Sequence, residues 1–129
     1  MRMSSTALEL IECAASLLHD ARGEPQFRAV CSPAYYGAFH AAQAFHRRLR
    51  APGTVGRARG SHEQLITQLC NPTISQRDEQ FVVSQEIGKR LQRLYYVRVT
   101  ADYHLSDHVD GALAATSTSL AEIILRSSA

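Results

Sequence analysis

The sequence predicts an all-α fold, an up-and-down bundle of four to five helices in which residues 1–129 form one domain. Apolar residues recur at helical spacing along nearly the whole chain, and no segment alternates as a half-buried strand would. With 129 residues, 45% of them hydrophobic and 20% charged, the chain is long enough to build a single core. The lack of strands excludes a Rossmann sheet and a P-loop, and with them the commonest nucleotide-binding enzymes.

The first predicted helix covers residues 6–20. Thr6 and Glu9 have the spacing of a capping box, in which each side chain accepts the other residue's backbone N–H. Glu12 and Glu9 interrupt the apolar run, so a helix explains this segment better than a signal peptide does. We therefore expect a cytoplasmic protein, without a membrane span. The apolar face of this helix consists of Ala7, Leu10, Ile11, Ala14, Leu17 and Leu18.

The second predicted helix covers residues 26–50. Ser32 and Pro33 have the pattern of an N-cap followed by a first helical position, so we expect a kink or a new helix start there. One stripe of this helix is expected in the core, namely Tyr35, Phe39, Ala42, His46 and Leu49. The adjacent polar and aromatic stripe is either a solvated edge or the wall of a pocket or dimer surface. It consists of Tyr36, His40, Gln43 and Arg47.

The longest loop, residues 51–60, separates the second helix from a short third one. Ser61 and Gln64 have capping-box spacing and open this helix. It is expected to end near Cys70, because the following Asn-Pro-Thr segment (71–73) breaks helices.

The fourth predicted helix covers residues 75–103. Leu105–Asp107 is predicted to form a turn, and Ser106 or Asp107 to cap a last helix over residues 107–126. The inward face of that helix is expected to consist of Val109, Leu113, Leu120, Ile123 and Ile124.

The fourth helix places two charges on its apolar side, within "RLYYVRVTADYH" (93–104). At about 100° per residue, Arg98 and Asp102 project into the apolar stripe, and their spacing of four residues lets them pair. A charge on a core-facing stripe is costly unless it is paired or serves a site. The pair therefore either fixes the packing of the helix or forms a pocket in which Arg98 binds an anion. The apolar stripe itself consists of Ile87, Leu91, Leu94 and Tyr95.

His104 follows this pair closely, but on a continuous helix it would point about 120° away from Arg98. The two side chains converge only if the helix ends near Tyr103, or if His104 acts beside an Arg98 of a second subunit. The sequence "HLSD" (104–107) is typical of a helix exit. An ordinary surface histidine is the alternative.

Three segments resemble the HEPN family, the all-helical "higher eukaryotes and prokaryotes nucleotide-binding" domains. "SPAYYGAFHAAQAF" (32–45) is similar to the family's second-helix segment, and "SHEQL" (61–65) stands where relatives place Ser/Thr-His before a short helix. "RVTADYH" (98–104) resembles the signature of Arg, two residues and Ala-Asp-Tyr. Nuclease members carry Arg, four to six residues and then His, and five residues separate Arg98 from His104 here.

This resemblance implies a metal-independent endoribonuclease that acts as a homodimer, needs no cofactor and leaves a 2′,3′-cyclic phosphate and a 5′-OH. Arg98 would bind the phosphate and His104 would transfer protons at the ribose 2′-oxygen and the leaving 5′-oxygen. Two-fold symmetry would bring two copies of both residues into one cleft. The supporting residues would be Asp102, which orients Arg98, Tyr103, which lines the cleft, and Tyr36 and His40.

A cluster of arginines near the longest loop is a second candidate for RNA binding, outside the cleft. It comprises Arg47, Arg48, Arg57 and Arg59, with Arg50 beside them. A solvated loop explains the same cluster equally well.

No metal site is expected. His104 and His108 are four residues apart, with Asp107 and Asp110 nearby, but the sequence offers no well-placed third ligand. The three cysteines are far apart and contain no CxxC pair, so we expect small buried side chains and neither a disulfide framework nor a zinc site.

Three functions remain open from the sequence. The favoured one is a small dimeric ribonuclease, the toxin of a toxin–antitoxin or defence system, whose partner or antitoxin would be a minimal nucleotidyltransferase. The second is a non-catalytic module that binds nucleotide or that nucleotidyltransferase. The third is a dimerisation scaffold in which Arg98 and Asp102 are only a structural pair.

Overall fold

A computed structural model describes residues 6–104 and 106–129, and within them the chain forms five α-helices and no strand. The predicted all-α helical bundle is therefore confirmed. No helix in these two ranges is both long and apolar enough to cross a membrane. The helices are α1 (Ala7–Asp20), α2 (Glu24–Arg47), α3 (Ser61–Cys70), α4 (Glu79–Tyr103) and α5 (Gly111–Ser127).

The central helix is α2, which packs against α1, α4 and α5, while α3 packs on α4. Gly37 allows α1 to approach α2 closely, because a Cβ there would lie 2.6 Å from Cγ1 of Ile11 and 3.0 Å from the Ala7 carbonyl oxygen. All five helices contribute to one core, whose members at 2% exposure or less include Ile11, Tyr35, Leu69, Leu91, Leu94 and Ile124.

The capping box of α1 is confirmed. Oγ1 of Thr6 accepts the Glu9 N–H at 3.1 Å, and the Glu9 carboxylate accepts the Thr6 N–H at 3.0 Å. The prediction that Leu17 faces the core is wrong, since this side chain is 41% exposed. Leu17 lies about 120° around the helix from the buried Ile11, outside the strip that α2 covers. Cys13 on α1 is also exposed, contrary to prediction.

Of the two alternatives predicted at Pro33, a kink or a new helix start, the new start is wrong, because α2 runs without interruption from Glu24 to Arg47. Pro33 removes one backbone hydrogen bond from the helix. Val30 and Ala34, on either side of it, are fully buried and anchor both halves of α2 in the core.

The starts of α3 and α4 differ from the prediction. Gly60, at φ 82°, is the N-cap of α3, so Ser61 is not the cap. Glycine adopts this positive φ without steric cost, whereas serine would clash through its Cβ. The N-cap of α4 is Asp78, whose Oδ1 accepts the Gln80 N–H at 2.9 Å, so α4 begins at Glu79 and not near residue 75.

The connection between α4 and α5 begins where it was predicted, but it extends further along the chain than predicted, to Asp110. α4 ends at Tyr103, with His104 as its C-cap. The predicted cap of α5 is wrong: neither Ser106 nor Asp107 but Asp110 caps it, through an Oδ1 that accepts the Leu113 N–H at 2.8 Å. Leu105, the first residue of the predicted turn, lies outside the described residues.

An ion pair on α2 explains why α5 starts late. Nη2 of Arg28 lies 2.6 Å from the Glu24 carboxylate, and the hydrogen bonds of Glu24 with Arg28 and with the Val109 N–H hold the pKa of this carboxyl below its ordinary value. The Val109 N–H is 3.1 Å from the carboxylate. The chain is therefore held to α2 as far as Val109, and Asp110 is the next residue able to cap a helix. Arg28 also donates to four backbone carbonyls, those of Thr100, Ala101, His104 and Asp107.

Removing the Asp110 cap should cost stability. We expect Asp110→Ala to lower the free energy of unfolding by about 1 kcal/mol, because the Leu113 N–H loses its acceptor. Asp107→Ala is the matched control, since Arg28 binds the backbone carbonyl of Asp107, which the substitution keeps, and the Asp107 carboxylate acts on Arg28 through its charge without capping α5. Urea titrations of the two variants measure the difference. Equal losses would mean that Asp110 is not the cap.

Candidate functional site around Arg98

Arg98 is held at the C-terminal end of α4 by two polar partners. Its side chain is only 13% exposed. Nη2 donates a hydrogen bond to the Tyr36 hydroxyl on α2 at 2.8 Å. Nε lies 2.9 Å from Oδ2 of Asp102, so the pairing suggested by the spacing is present.

The contact with Asp102 is an ion pair and not a well-aligned hydrogen bond. Nε of Arg98 is buried, and among the described residues no acceptor meets the angular requirement for a hydrogen bond with it. The attraction between the opposite charges remains, since it depends on distance rather than on the direction of the N–H bond. Asp102 thus compensates the charge but leaves a donor of the guanidinium without an aligned acceptor.

Three tyrosine rings surround the guanidinium. Its carbon lies 5.2 Å from the ring centre of Tyr36, 5.4 Å from that of Tyr103 and 5.9 Å from that of Tyr35. These distances suit cation–π attraction. Tyr35 is fully buried, whereas Tyr103 is 66% exposed, so the surroundings of the guanidinium reach from the core to the surface. We call Arg98, Asp102, Tyr35, Tyr36 and Tyr103 the Arg98 cluster.

Arg98 carries its positive charge within the cluster, as a guanidinium does at any physiological pH. Burial alone would lower the pKa of this guanidinium, but the oxygens of Tyr36, Tyr103 and Asp102 outweigh burial and raise the pKa above its ordinary value. A fixed positive charge beside an exposed tyrosine is a suitable arrangement for attracting an anionic oxygen.

His62 on α3 borders the cluster, and sequence reasoning did not place it there. Its Nδ1 is hydrogen-bonded to the Tyr35 hydroxyl at 2.8 Å. The imidazole ring lies 4.6 Å from the Phe39 ring and stacks on Tyr95 at 6.0 Å and 27°. The "SHEQL" segment was the one available signal for this residue, but only tertiary packing brings α3 beside Tyr35.

Burial, and then the charge of Arg98, lower the pKa of His62. Burial also lowers the pKa of His46 on α2, whose Nε2 accepts the Gly53 N–H at 3.1 Å and so requires the neutral ring. Both histidines are therefore favoured in the neutral form by the fold.

The structure brings together four of the predicted site residues, Arg98, Asp102, Tyr103 and Tyr36, but does not join them to His104. His104 is exposed at the C-cap of α4, and the hydrogen bonds described for it involve its backbone. Among the described residues, no contact links its imidazole to Arg98 of the same chain. Since the helix ends at Tyr103, the first of the two conditions for convergence is met.

The remaining predicted residues lie elsewhere. His40 is exposed, and it lines a groove of about 790 Å³ between α1, α2 and α5 together with Arg48. Arg48 donates to the Ser128 carbonyl and so ties the end of α2 to the end of α5. Arg47, Arg57 and Arg59 are exposed, at the end of α2 and in the following loop.

No three His, Cys, Asp or Glu side chains in residues 6–104 and 106–129 lie close enough to share a metal ion.

Comparisons of the chain with protein-family models, with curated proteins and with solved structures found no match.

Acidification should destabilise the protein in part through His62. A histidine with a lowered pKa in the folded state binds protons more tightly when unfolded. The contribution of His62 to the free energy of unfolding is fully present above the ordinary histidine pKa of about 6.5. It is lost as the pH falls through the lowered pKa of the folded state. We expect His62→Asn, which keeps a polar partner for Tyr35 but does not titrate, to lose less stability on acidification than the unmodified protein.

Urea unfolding at neutral and acidic pH measures this difference, and His46→Asn serves as the parallel variant for the second buried histidine. An unchanged pH dependence in His62→Asn would contradict the role given to His62.

Proposed function

We propose that the chain is a HEPN-like, metal-independent endoribonuclease that acts as a cytoplasmic homodimer, as the toxin of a toxin–antitoxin or defence system. The observation that carries the proposal is the Arg98 cluster. The guanidinium of Arg98 lies beside an exposed tyrosine, at the point where α4 ends and leaves His104 in solvent.

Arg98 would supply the electrostatic part of the reaction. Cleavage of a ribose phosphodiester by its own 2′-oxygen builds negative charge on the phosphate, and a guanidinium fixed beforehand stabilises that charge without reorganisation. Asp102 and Tyr36 hold the guanidinium from two sides, which supports this role. Tyr103, exposed beside the guanidinium, would contact the RNA at the mouth of the cleft.

His104 would supply the proton transfers. An imidazole takes a proton from the 2′-OH and returns one to the leaving 5′-oxygen, and both steps need its nitrogen within hydrogen-bonding reach of those oxygens. Because His104 has no described contact with Arg98 of its own chain, we assign it to the Arg98 cluster of the second protomer. A two-fold dimer around the end of α4 would then contain two such sites.

The exposed arginines outside the cluster would bind the RNA backbone. Arg47, Arg57 and Arg59 are exposed. Their contribution would be independent of sequence and weakened by salt.

A non-catalytic module that binds nucleotide or a minimal nucleotidyltransferase is the second candidate. The 13% exposure of Arg98 favours it, because a guanidinium already held by Asp102 and three tyrosines offers little free surface to a reacting phosphate. A minimal nucleotidyltransferase is also the antitoxin expected for the first candidate, so finding that partner would not separate the two.

RNA cleavage in EDTA tests the proposal. We expect cleavage by the unmodified protein, and a loss of about 10²–10⁴-fold in His104→Ala, because the proton-transfer group is removed. His108→Ala, which removes an exposed histidine four residues later, is the matched control. Arg98→Lys, which keeps a positive charge, should also lose activity, and thermal unfolding checks that it folds. If none of these proteins cleaves RNA, the nuclease proposal is contradicted and the non-catalytic binding module is the function that stands.

Mixing two inactive variants tests whether the site is shared between protomers. After Arg98→Lys and His104→Ala protomers exchange, half of the dimers are mixed, and one of the two sites in each mixed dimer is complete. We therefore expect about a quarter of the unmodified activity to return. If cleavage exists but mixing restores none of it, Arg98 and His104 act within one chain.

A further inference from the structure

A pocket between α3 and α4 lies next to the Arg98 cluster and has no role in the scheme above. Its volume is about 300 Å³, at the lower end of the range for small-molecule sites. Its lining combines a buried aliphatic residue, two tyrosines and three polar side chains, namely Ile66, Tyr95, Tyr96, Glu63, Thr67 and Gln92.

The tyrosines offer a surface for a planar ligand. The ring of Tyr96 is 62% exposed, and the ring centres of Tyr95 and Tyr96 are 6.2 Å apart at an angle of 61°. Exposed aromatic rings of this kind stack on nucleic-acid bases irrespective of sequence. The two rings therefore give the pocket an aromatic surface on which an unpaired base can stack.

The polar side chains of the pocket are available to a ligand. Among the described residues, no hydrogen bond or ion pair engages the side chains of Glu63, Thr67 or Gln92, although all three line the same cavity. Glu63 presents two acceptor oxygens, while the amide of Gln92 presents a donor and an acceptor. Together these groups can form hydrogen bonds with the polar edge of a base.

Guanine suits this set best. Its N1–H and its amino group lie side by side, so one carboxylate accepts both, in the manner of a bidentate pair. Adenine, cytosine and uracil do not present two neighbouring N–H donors on their pairing edge. A carboxylate on this wall therefore discriminates for guanine.

Three arginines that lie near the pocket along the chain would attract the phosphate of such a nucleotide. Tyr95 of the pocket and Arg98 are three residues apart on α4, which places their Cβ atoms about 5–6 Å from each other. On the other side, the exposed Arg57 and Arg59 stand in the loop that leads into the first turn of α3, where Glu63 lies.

We propose that this pocket binds the base of an RNA residue and that Glu63 makes guanine the preferred base. The inference rests on the proposed function for its substrate, RNA, but the pocket can bind a base whether or not the RNA is cut.

Binding of 2′-O-methyl oligonucleotides to the full chain in EDTA tests this proposal, because the blocked 2′-oxygen prevents cleavage. We expect an oligonucleotide of five residues with a central guanosine in an adenosine background to bind at least about fivefold more tightly than one made of adenosine alone. Glu63→Gln should abolish this preference, whereas Tyr96→Ser should weaken the binding of both.

Glu79→Gln is the matched control, since it removes an exposed first-turn glutamate from α4 instead of α3. GMP and AMP are titrated in parallel, and a guanine preference seen only with the mononucleotides would show a site for free nucleotide and overturn the assignment to RNA. Equal binding of the two oligonucleotides, or a preference that survives in Glu63→Gln, would also overturn it. If RNA is cleaved but guanine is not preferred, the guanine site is contradicted and the proposed nuclease activity is not. If guanine is preferred but RNA is not cleaved, the nuclease activity is contradicted and the guanine site is not.

Discussion

The ion pair between Glu24 and Arg28 fixes the end of α4, and the candidate site depends on where α4 ends. The last carbonyls of a helix have no partner within the helix, and a cation satisfies them both as a donor and as a charge opposite the helix dipole. Arg28 does this from α2, with Glu24 holding it in place. Asp102 and Tyr103 therefore remain helical beside Arg98, while His104 leaves the helix. One more turn of α4 would carry His104 about 120° away from Arg98.

The surroundings of Arg98 bear on whether its charge serves a site or only the packing of α4. A structural ion pair needs no access from solvent, whereas a site for an anion must leave part of the surroundings of its guanidinium open to solvent. Here the Asp102 side chain keeps 29% of its exposure, and the Tyr103 ring against the guanidinium is largely in solvent. The hydroxyl of Tyr36 and the ring of Tyr35 hold the inner side. The guanidinium is thus fixed from the core and approached from the surface, which is the arrangement that a preorganised anion site requires.

The parts of this structure that sequence could predict are those set by spacing along one helix. The capping box of α1 and the pairing of Arg98 with Asp102 both follow from local rules. Features that depend on a second element were missed. Asp110 caps α5 directly after Val109, whose N–H is bound by Glu24 of α2, and α2 runs through Pro33 between the buried Val30 and Ala34. His62 reaches Tyr35 across 27 residues, a contact that no periodic pattern encodes.

Tyr95 connects the two ends of the proposed nucleotide site. One side of this half-buried ring contacts His62 and Tyr35, which faces the guanidinium of Arg98. The same residue also lines the pocket proposed for the base. Ring contacts with both α2 and α3 restrict the ring, so the distance between the base and phosphate positions is set before a ligand arrives. Binding then costs less ordering entropy than it would on a mobile loop. A shared ring of this kind favours one nucleotide over two unrelated ligands, because only a single molecule would need both positions at that fixed separation.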